Sequence, residues 1–317
     1  MITADSISDL VWVEKYRPKT IKDCILTNDL RTVFAGMVKT AKMPNLMLCG
    51  KPGTGKTTVA RALCQDLEME YIIINCSEQN GIDTLRTTIR NYASSKSLHG
   101  GKKTIILDEF DYANPQSMQP ALRGAMEEFA PNCNFILTCN YKSRIIEPLH
   151  SRCTVIDFTF PPDERSVIAK KMLERSEVIL KSENIPYKPE VIANLIVKYF
   201  PDFRRVINEI QRYSANGSID IGILSAKEDS NIKELIGYMQ KKDFASCRKW
   251  AATSAEATSP DFFRKLYDGL YNSLKKSSVP PMILILADYQ YKSAFVADQE
   301  INTMAMICQL MMECEFE

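Results

Sequence analysis

Eight consecutive residues, Gly50-Lys51-Pro52-Gly53-Thr54-Gly55-Lys56-Thr57, constrain this chain more than any other stretch. They follow an apolar run, Leu46-Met47-Leu48-Cys49, and lead into a helix-forming segment. Glycines at this spacing let the backbone curl until several N–H groups converge on one point. The positive end of the helix that begins near Thr57 faces the same point. A strand, a glycine-rich loop and a helix in this order make a phosphate cradle. Within it Lys56 suits the β- and γ-phosphates of a nucleotide, Thr57 suits Mg2+, and Thr58 belongs to the same first turn.

One strand needs partners. Four more apolar runs supply them: Tyr71 to Cys76, Thr104 to Leu107, Phe135 to Cys139 and Thr154 to Phe158. They alternate with helical patterns, which predicts an α/β core with a five-stranded parallel sheet buried between helices. Composition shifts at Pro161-Pro162, after which apolar residues recur at helical spacing. Asp163 is expected to cap a helix running to about Glu183, Pro189 to open a second, and Asp202 to cap a third that stops near Asn216-Gly217. Beyond about Ser225 the segments containing Ile232, Leu235, Ile236 and Met239, then Phe262 to Leu274, then Met304 to Met312, are again amphipathic. The expected domains are therefore 1–160, 161–224 and 225–317, the last two wholly helical.

Two adjacent carboxylates, Asp108 and Glu109, end the third apolar run, at the edge of an open α/β sheet where ligands bind. Two carboxylates imply two tasks. Asp108 is expected to reach Mg2+ and Glu109 to orient and deprotonate a water. A kinase has no use for a hydrolytic glutamate here, so the pair favours an ATPase, although acidic residues also favour helix starts. Asn140 ends the next apolar run, beside the γ-phosphate or simply in a turn.

Composition narrows the partners. Lys plus Arg number 40 and Asp plus Glu 39, so nucleic-acid binding must come from a local patch rather than a global field. The ten cysteines form no Cys-x-x-Cys pair and only His99 and His150 could add imidazoles, which argues against structural zinc. Cys49, Cys76 and Cys139 sit in apolar runs as small core residues. No basic leader precedes an apolar stretch and the run Met282 to Ala287 is too short for a bilayer, so a reducing cytoplasmic setting without membrane contact is expected.

Taken in order, Trp12-Val13-Glu14-Lys15-Tyr16-Arg17-Pro18, the phosphate loop, Asp108-Glu109, Asn140, Ser151-Arg152-Cys153 and Asp202-Phe203-Arg204 resemble the motif set of replication clamp-loader AAA+ ATPases, above all the large subunits of T4-like bacteriophage loaders. The resemblance covers about residues 10–215 by motif. It implies an AAA+ core, a helical lid and a helical collar. It also implies that Trp12, Val13, Tyr16 and Arg17 line the adenine pocket, and that Arg204 reaches the γ-phosphate from the lid. Arg152 is implied to act in trans on the neighbour's ATP, with Arg123 as a second arginine sensing that neighbour. The implied partners are primer-template DNA, a ring-shaped sliding clamp, further copies of this chain and a small loader subunit, in a pentamer. DNA candidates lie in Gln79 to Arg90 and Gln116 to Arg123. There Arg86 and Arg90 stand four apart on one expected helix face beside a stripe of Ile82, Leu85, Ile89 and Tyr92, a pattern that also fits two solvated arginines. Gly81 stands where many relatives carry a basic residue, and Tyr92 and Leu98 are candidate clamp anchors.

Two other classes fit part of this pattern. A branch-migration helicase or an unfoldase would share the loop and the carboxylates, but would not need a clamp for full activity. A scaffold that binds ATP without turning it over is opposed by Lys56, Glu109, Asn140 and Arg152 together.

Overall fold

The computed structural model describes residues 11–78, 83, 85–95, 97, 101–215, 217–219, 228–254, 257 and 262–316. Compact packing divides the chain into two units, Met1–Ile223 and Leu224–Glu317.

In the first unit, helix α1 (Trp12–Lys15) and α2 (Asn28–Thr40) precede strand β1 (Leu46–Cys49) and helix α3 (Lys56–Asp66). Then come β2 (Tyr71–Asn75), a π-helical turn over Leu85–Ile89, α4 (Arg90–Ser94) and β3 (Lys103–Asp108). Helix α5 (Met118–Glu128), β4 (Cys133–Cys139), α6 (Glu147–His150) and β5 (Thr154–Asp157) complete the core. Three further helices follow: α7 (Arg165–Ser182), α8 (Pro189–Tyr199) and α9 (Phe203–Ser214).

The strands form one sheet in the order β2-β3-β4-β1-β5 with every neighbour parallel. Alternation of side chains explains its double burial. Met47, Ile105, Leu107, Phe135 and Leu137 enter one apolar cluster with α5. Leu46, Leu48, Ile106, Ile136 and Ile156 enter a second with α2 and α3. Cys49, Cys76 and Cys139 are buried as core thiols.

One local expectation is corrected. Asp163 does not cap α7: the chain turns at Pro161, whose carbonyl accepts from Glu164 N at 3.1 Å, so the helix starts two residues later at Arg165. Glu164 at the cap position turns its carboxylate to the Asn28 N–H at 2.9 Å instead. A π-helical turn covers Leu85–Ile89 and runs directly into Arg90 at the start of α4. Asp202 behaves as expected, its Oδ1 accepting from Arg205 N at 2.9 Å.

The second unit is helical among the described residues: α10 (Glu228–Gln240), α11 (Phe244–Thr253), α12 (Phe262–Tyr271), α13 (Val279–Ser293) and α14 (Gln299–Glu313). Leu235, Met239, Leu266, Leu270, Met282, Met306 and Leu310 form a core separate from those of the sheet. Gly269 lets α10 and α12 approach closely, because a Cβ there would lie 2.7 Å from Ile236 Cδ1.

A unit with its own core should fail on its own. Leu266→Ala, at a fully buried position, is expected to destabilise the second unit by about 2–5 kcal/mol. Chemical denaturation should show the loss while nucleotide affinity stays unchanged; a parallel fall in affinity would contradict independent cores.

Candidate nucleotide site

The site begins with strand register. Cys49 pairs with Cys139 across β1 and β4, so the chain segments that follow them leave the sheet side by side. Gly50 N donates to the Cys139 carbonyl at 3.1 Å, which ties the start of the glycine loop to the end of β4. The loop then needs left-handed backbone at Gly53 (φ 73°) and Gly55 (φ 93°), the latter opening α3.

Lys56, only 7% exposed, folds back under this loop. Its Nζ donates to the carbonyls of Gly50 (2.7 Å) and Lys51 (2.9 Å) and to Asn140 Oδ1 (2.9 Å). Burial, the largest influence, pulls its pKa below the ordinary lysine value, while the charges of Asp108 and Asp111 oppose that shift.

Asp108 is gripped from two sides. Thr57 Oγ1 donates to Asp108 Oδ1 at 2.7 Å and Thr138 Oγ1 donates to the same oxygen at 2.6 Å. The Glu109 N–H donates in turn to Thr138 Oγ1 at 3.1 Å. Glu109 itself sits at φ 54°, a left-handed conformation that non-glycine residues adopt at a cost and that clusters at functional sites. Hard oxygen donors from Thr57 and Asp108 side by side suit a small divalent cation of the Mg2+ type.

A largely apolar pocket opens beside the loop. Val13, Tyr16, Arg17, Gly53, Thr54, Gly55, Thr58 and Arg204 line it, so these expected residues come together. Arg204, not Arg205, faces the pocket; Arg205 lies over the Tyr199 ring at 4.6 Å. Arg17 is fixed by Glu14 at 3.0 Å and by Thr58 Oγ1 at 3.1 Å. Trp12 is a correction: it does not line the pocket. It is buried with its N–H on Gln211 Oε1 of α9 at 3.0 Å, and its ring stands edge-on to Tyr16 at 6.4 Å. Val13 on α1 and Arg17 just beyond it line the pocket, while α1 packs on α9. Gly50 and Lys51 line the opposite side of the loop with Asn140, and Pro52 is exposed on the rim.

Sequence reasoning missed several participants. Met172, Arg175, Phe203 and Ile207 add a lid wall to the pocket. Arg175 also donates to the Tyr16 carbonyl at 2.6 Å, pinning the N-terminal strap. Thr138 had one available signal, a polar residue near the carboxyl end of a largely apolar strand. Asp111, third acid of Asp108-Glu109-Phe110-Asp111, is 5% exposed and neither carboxylate oxygen makes a hydrogen bond. A buried acid left in this state is a recurrent mark of functional sites.

The remaining candidates lie outside this pocket. Arg152 bonds Glu127 and the Pro148 carbonyl. Arg123 is exposed on α5. Arg90 pairs with Glu128 at 2.9 Å, both side chains more than half exposed. Residues 79–82, Leu98 and the side chains of Leu85 and Arg86 lie outside the described residues. Tyr92 is packed on the core with Lys103 Nζ over its ring at 4.6 Å, which is a strand contact rather than a free anchor.

A parallel sheet whose central strands end in a glycine loop, paired acids and an asparagine, under a helical lid, defines the AAA class of P-loop ATPases. Residues 46–160 match the ATPase family associated with various cellular activities. Residues 163–225 and 260–315 match the lid domain and the C-terminal domain of the sliding-clamp-loader large subunit. The sliding-clamp-loader large subunits of Escherichia phage RB69 and Enterobacteria phage T4 are 37% and 35% identical, over 99% of both chains and 100% of both chains. The replication factor C small subunit of Archaeoglobus fulgidus is 36% identical over 75% of this chain and 76% of its own. Among solved structures, the Thermotoga maritima RuvB Holliday junction branch migration motor shares the fold at a TM-score of 0.55 and 14% identity, over 80% of this chain and 91% of that one. The chain belongs to the sliding-clamp-loader large subunit family and is an ATP-hydrolysing AAA+ enzyme with a clamp-loader role.

The depressed pKa of Lys56 has a measurable sign. Its folded state binds the lysine proton less readily than the unfolded chain, so this group's cost to stability fades as pH rises above the folded pKa. Phosphate charge beside Nζ favours the charged form, so nucleotide binding at alkaline pH is expected to take up protons. Calorimetry in two alkaline buffers of different ionisation enthalpy reads this directly, and identical heats in both would contradict it.

Proposed function

We propose that the chain binds ATP with Mg2+ at this site and acts as one of several ATPase subunits that open a sliding clamp and place it on primer-template DNA. The observation that carries the reading is a pair of hydrogen-bond sets, Lys56–Asn140 and Thr57–Asp108–Thr138–Glu109, at the carboxyl ends of the parallel strands. Lys56 holds the β- and γ-phosphates, and Thr57 and Asp108 hold Mg2+, which neutralises charge on the phosphates. Glu109 activates the attacking water and Asn140 orients it. Arg204 draws the lid onto the γ-phosphate from within the same chain, and the pocket of Val13, Tyr16 and Arg17 takes the base.

Arg152 acts on the ATP of the neighbouring subunit, and Arg123 senses the same neighbour. Arg86 and Arg90 contact DNA phosphates; the exposed Arg90–Glu128 pair contributes little to stability and exchanges readily for a phosphate. Residues 1–160 form the core, 161–224 the lid and 225–317 a collar that joins this chain to its own copies and to a small loader subunit, in a pentamer. Support for the collar comes from apolar side chains that the second unit leaves exposed: Leu284 (72%), Tyr291 (70%) and Phe295 (73%) along and just past α13, and Ile301 (68%) and Met312 (85%) on α14. The Tyr291 and Phe295 rings lie 5.1 Å apart, and exposed apolar side chains in such number fit an interaction surface.

Steady-state ATP hydrolysis by the assembled loader should rise strongly only when clamp and primer-template DNA are both present. Arg152→Ala should abolish that rise by about 10³-fold or more. Stimulation by DNA that ignores the clamp would instead indicate a continuous DNA motor. Removal of residues 225–317 should leave a monomer in analytical ultracentrifugation; an intact hetero-oligomer would refute the collar.

A further inference from the structure

Arg152, just after α6, is held from within its own chain. Its Nε and Nη2 donate to a single oxygen, Oε1 of Glu127 on α5, at 2.9 and 2.5 Å. Its Nη1 donates to the Pro148 carbonyl at 2.9 Å and makes a longer 3.4 Å contact with Ser151 Oγ. A guanidinium carries five N–H groups in a rigid fork. Three are taken at short range by two partners on different elements, and a carboxylate along the Nε edge leaves the outward N–H of Nη2 for a ligand.

An arginine held in this way differs from a freely rotating one. Its side chain is 26% exposed, whereas that of Glu127 is 59% exposed. Glu127 also stands four residues after Arg123, on the same face of α5. Hydrogen bonding from Arg152 holds the Glu127 carboxyl below the usual glutamate range, the charge of Arg152 adds to this, and the charge of Arg123 adds a smaller share. One exposed carboxylate therefore bonds Arg152 and lies within electrostatic reach of Arg123.

We infer that Glu127 is a positioning residue for the trans-acting arginine: it fixes the direction in which Arg152 leaves its own subunit and so sets the geometry of the contact with the neighbour's phosphate. The inference rests on the reading of Arg152 as acting in trans. Glu127 touches no substrate and works only through the guanidinium. Its opposite, a Glu127 that competes with phosphate for Arg152 and restrains hydrolysis, predicts the reverse sign. The geometry favours positioning, because the carboxylate takes the inner edge of the fork and not its outer one.

The test is steady-state ATP hydrolysis by the complete loader, with clamp and primer-template DNA, for Glu127→Ala, Glu127→Gln, Arg152→Ala and the double variant Glu127→Ala/Arg152→Ala. Glu127 is exposed, so neither of its substitutions threatens the core. Loss of orientation is expected to lower kcat about 10- to 100-fold in Glu127→Ala while the KM for ATP stays within about twofold. Glu127→Gln should recover most of the rate, since its amide oxygen accepts the same two N–H groups. The double variant should match Arg152→Ala alone, because residues acting through one contact are not additive. An unchanged or faster Glu127→Ala, or a double variant slower than Arg152→Ala by the full single-variant factor, overturns the positioning role. Full activity in Arg152→Ala would remove the trans arginine itself and the inference with it, a result distinct from the other two.

Discussion

The in-register pairing of β1 with β4 is the constraint on which the site depends. With Cys49 opposite Cys139, Gly50 and Asn140 emerge together, and Lys56 can reach the asparagine and the loop carbonyls at once. One position earlier, Thr138 shares its hydroxyl with Asp108 and with the Glu109 N–H at the end of β3. A slip of a single residue would turn every side chain of β4 to the opposite face and take Thr138 away from both acids. β4 is buried along its whole length, with Phe135 and Leu137 in one apolar cluster and Ile136 in the other, so a slip would exchange side chains between two differently shaped cores. The apolar core and the catalytic geometry are therefore consequences of one alignment.

A second link joins the loop to the lid. The Gly53 carbonyl accepts from Phe203 N at 3.0 Å, and Asp202, which caps α9, approaches so closely that a Cβ on Gly53 would lie 1.7 Å from its Oδ1. The phosphate loop, the helix cap and Arg204 are thus neighbours within a few residues of one another. Phe160, Phe200 and Phe203 pack edge to face at 5.4 to 6.1 Å around the same junction. Movement of α9 must therefore be felt at the glycine loop.

Much of this was legible in the sequence because each signal was local. Strands that are buried on both faces read as short apolar runs, and the five runs became the five strands of the sheet with ends shifted by a residue or two. Glycine spacing, paired acids and a capping aspartate carry their chemistry within a few residues. What stayed hidden depends on distant partners. Trp12 was expected at the pocket, but Gln211, far along the chain, draws its backbone to α9. Arg175 and Met172 look like ordinary positions of an amphipathic helix, and only the lid's placement makes them pocket walls. The π-helical turn has no signature in residue type, and Glu164 rather than Asp163 lies at the start of α7 because a turn at Pro161 sets the phase. Glu127 reads as one more solvated acid until its partner, 25 residues on, is seen beside it.

Charge placement explains why hydrolysis should belong to an assembly. Around the loop stand one buried lysine and the acids Asp108, Glu109 and Asp111, with Arg204 and Arg17 at the pocket wall. A hydrolytic transition state adds negative charge to the transferred phosphoryl group, and a site rich in carboxylates needs a further cation to offset it. Arg152 is not among the residues of this pocket; its partners are Glu127 and Pro148. If Arg152 serves a neighbour's phosphate, its bonds to Glu127 lower the ordering entropy still to be lost when the subunits meet.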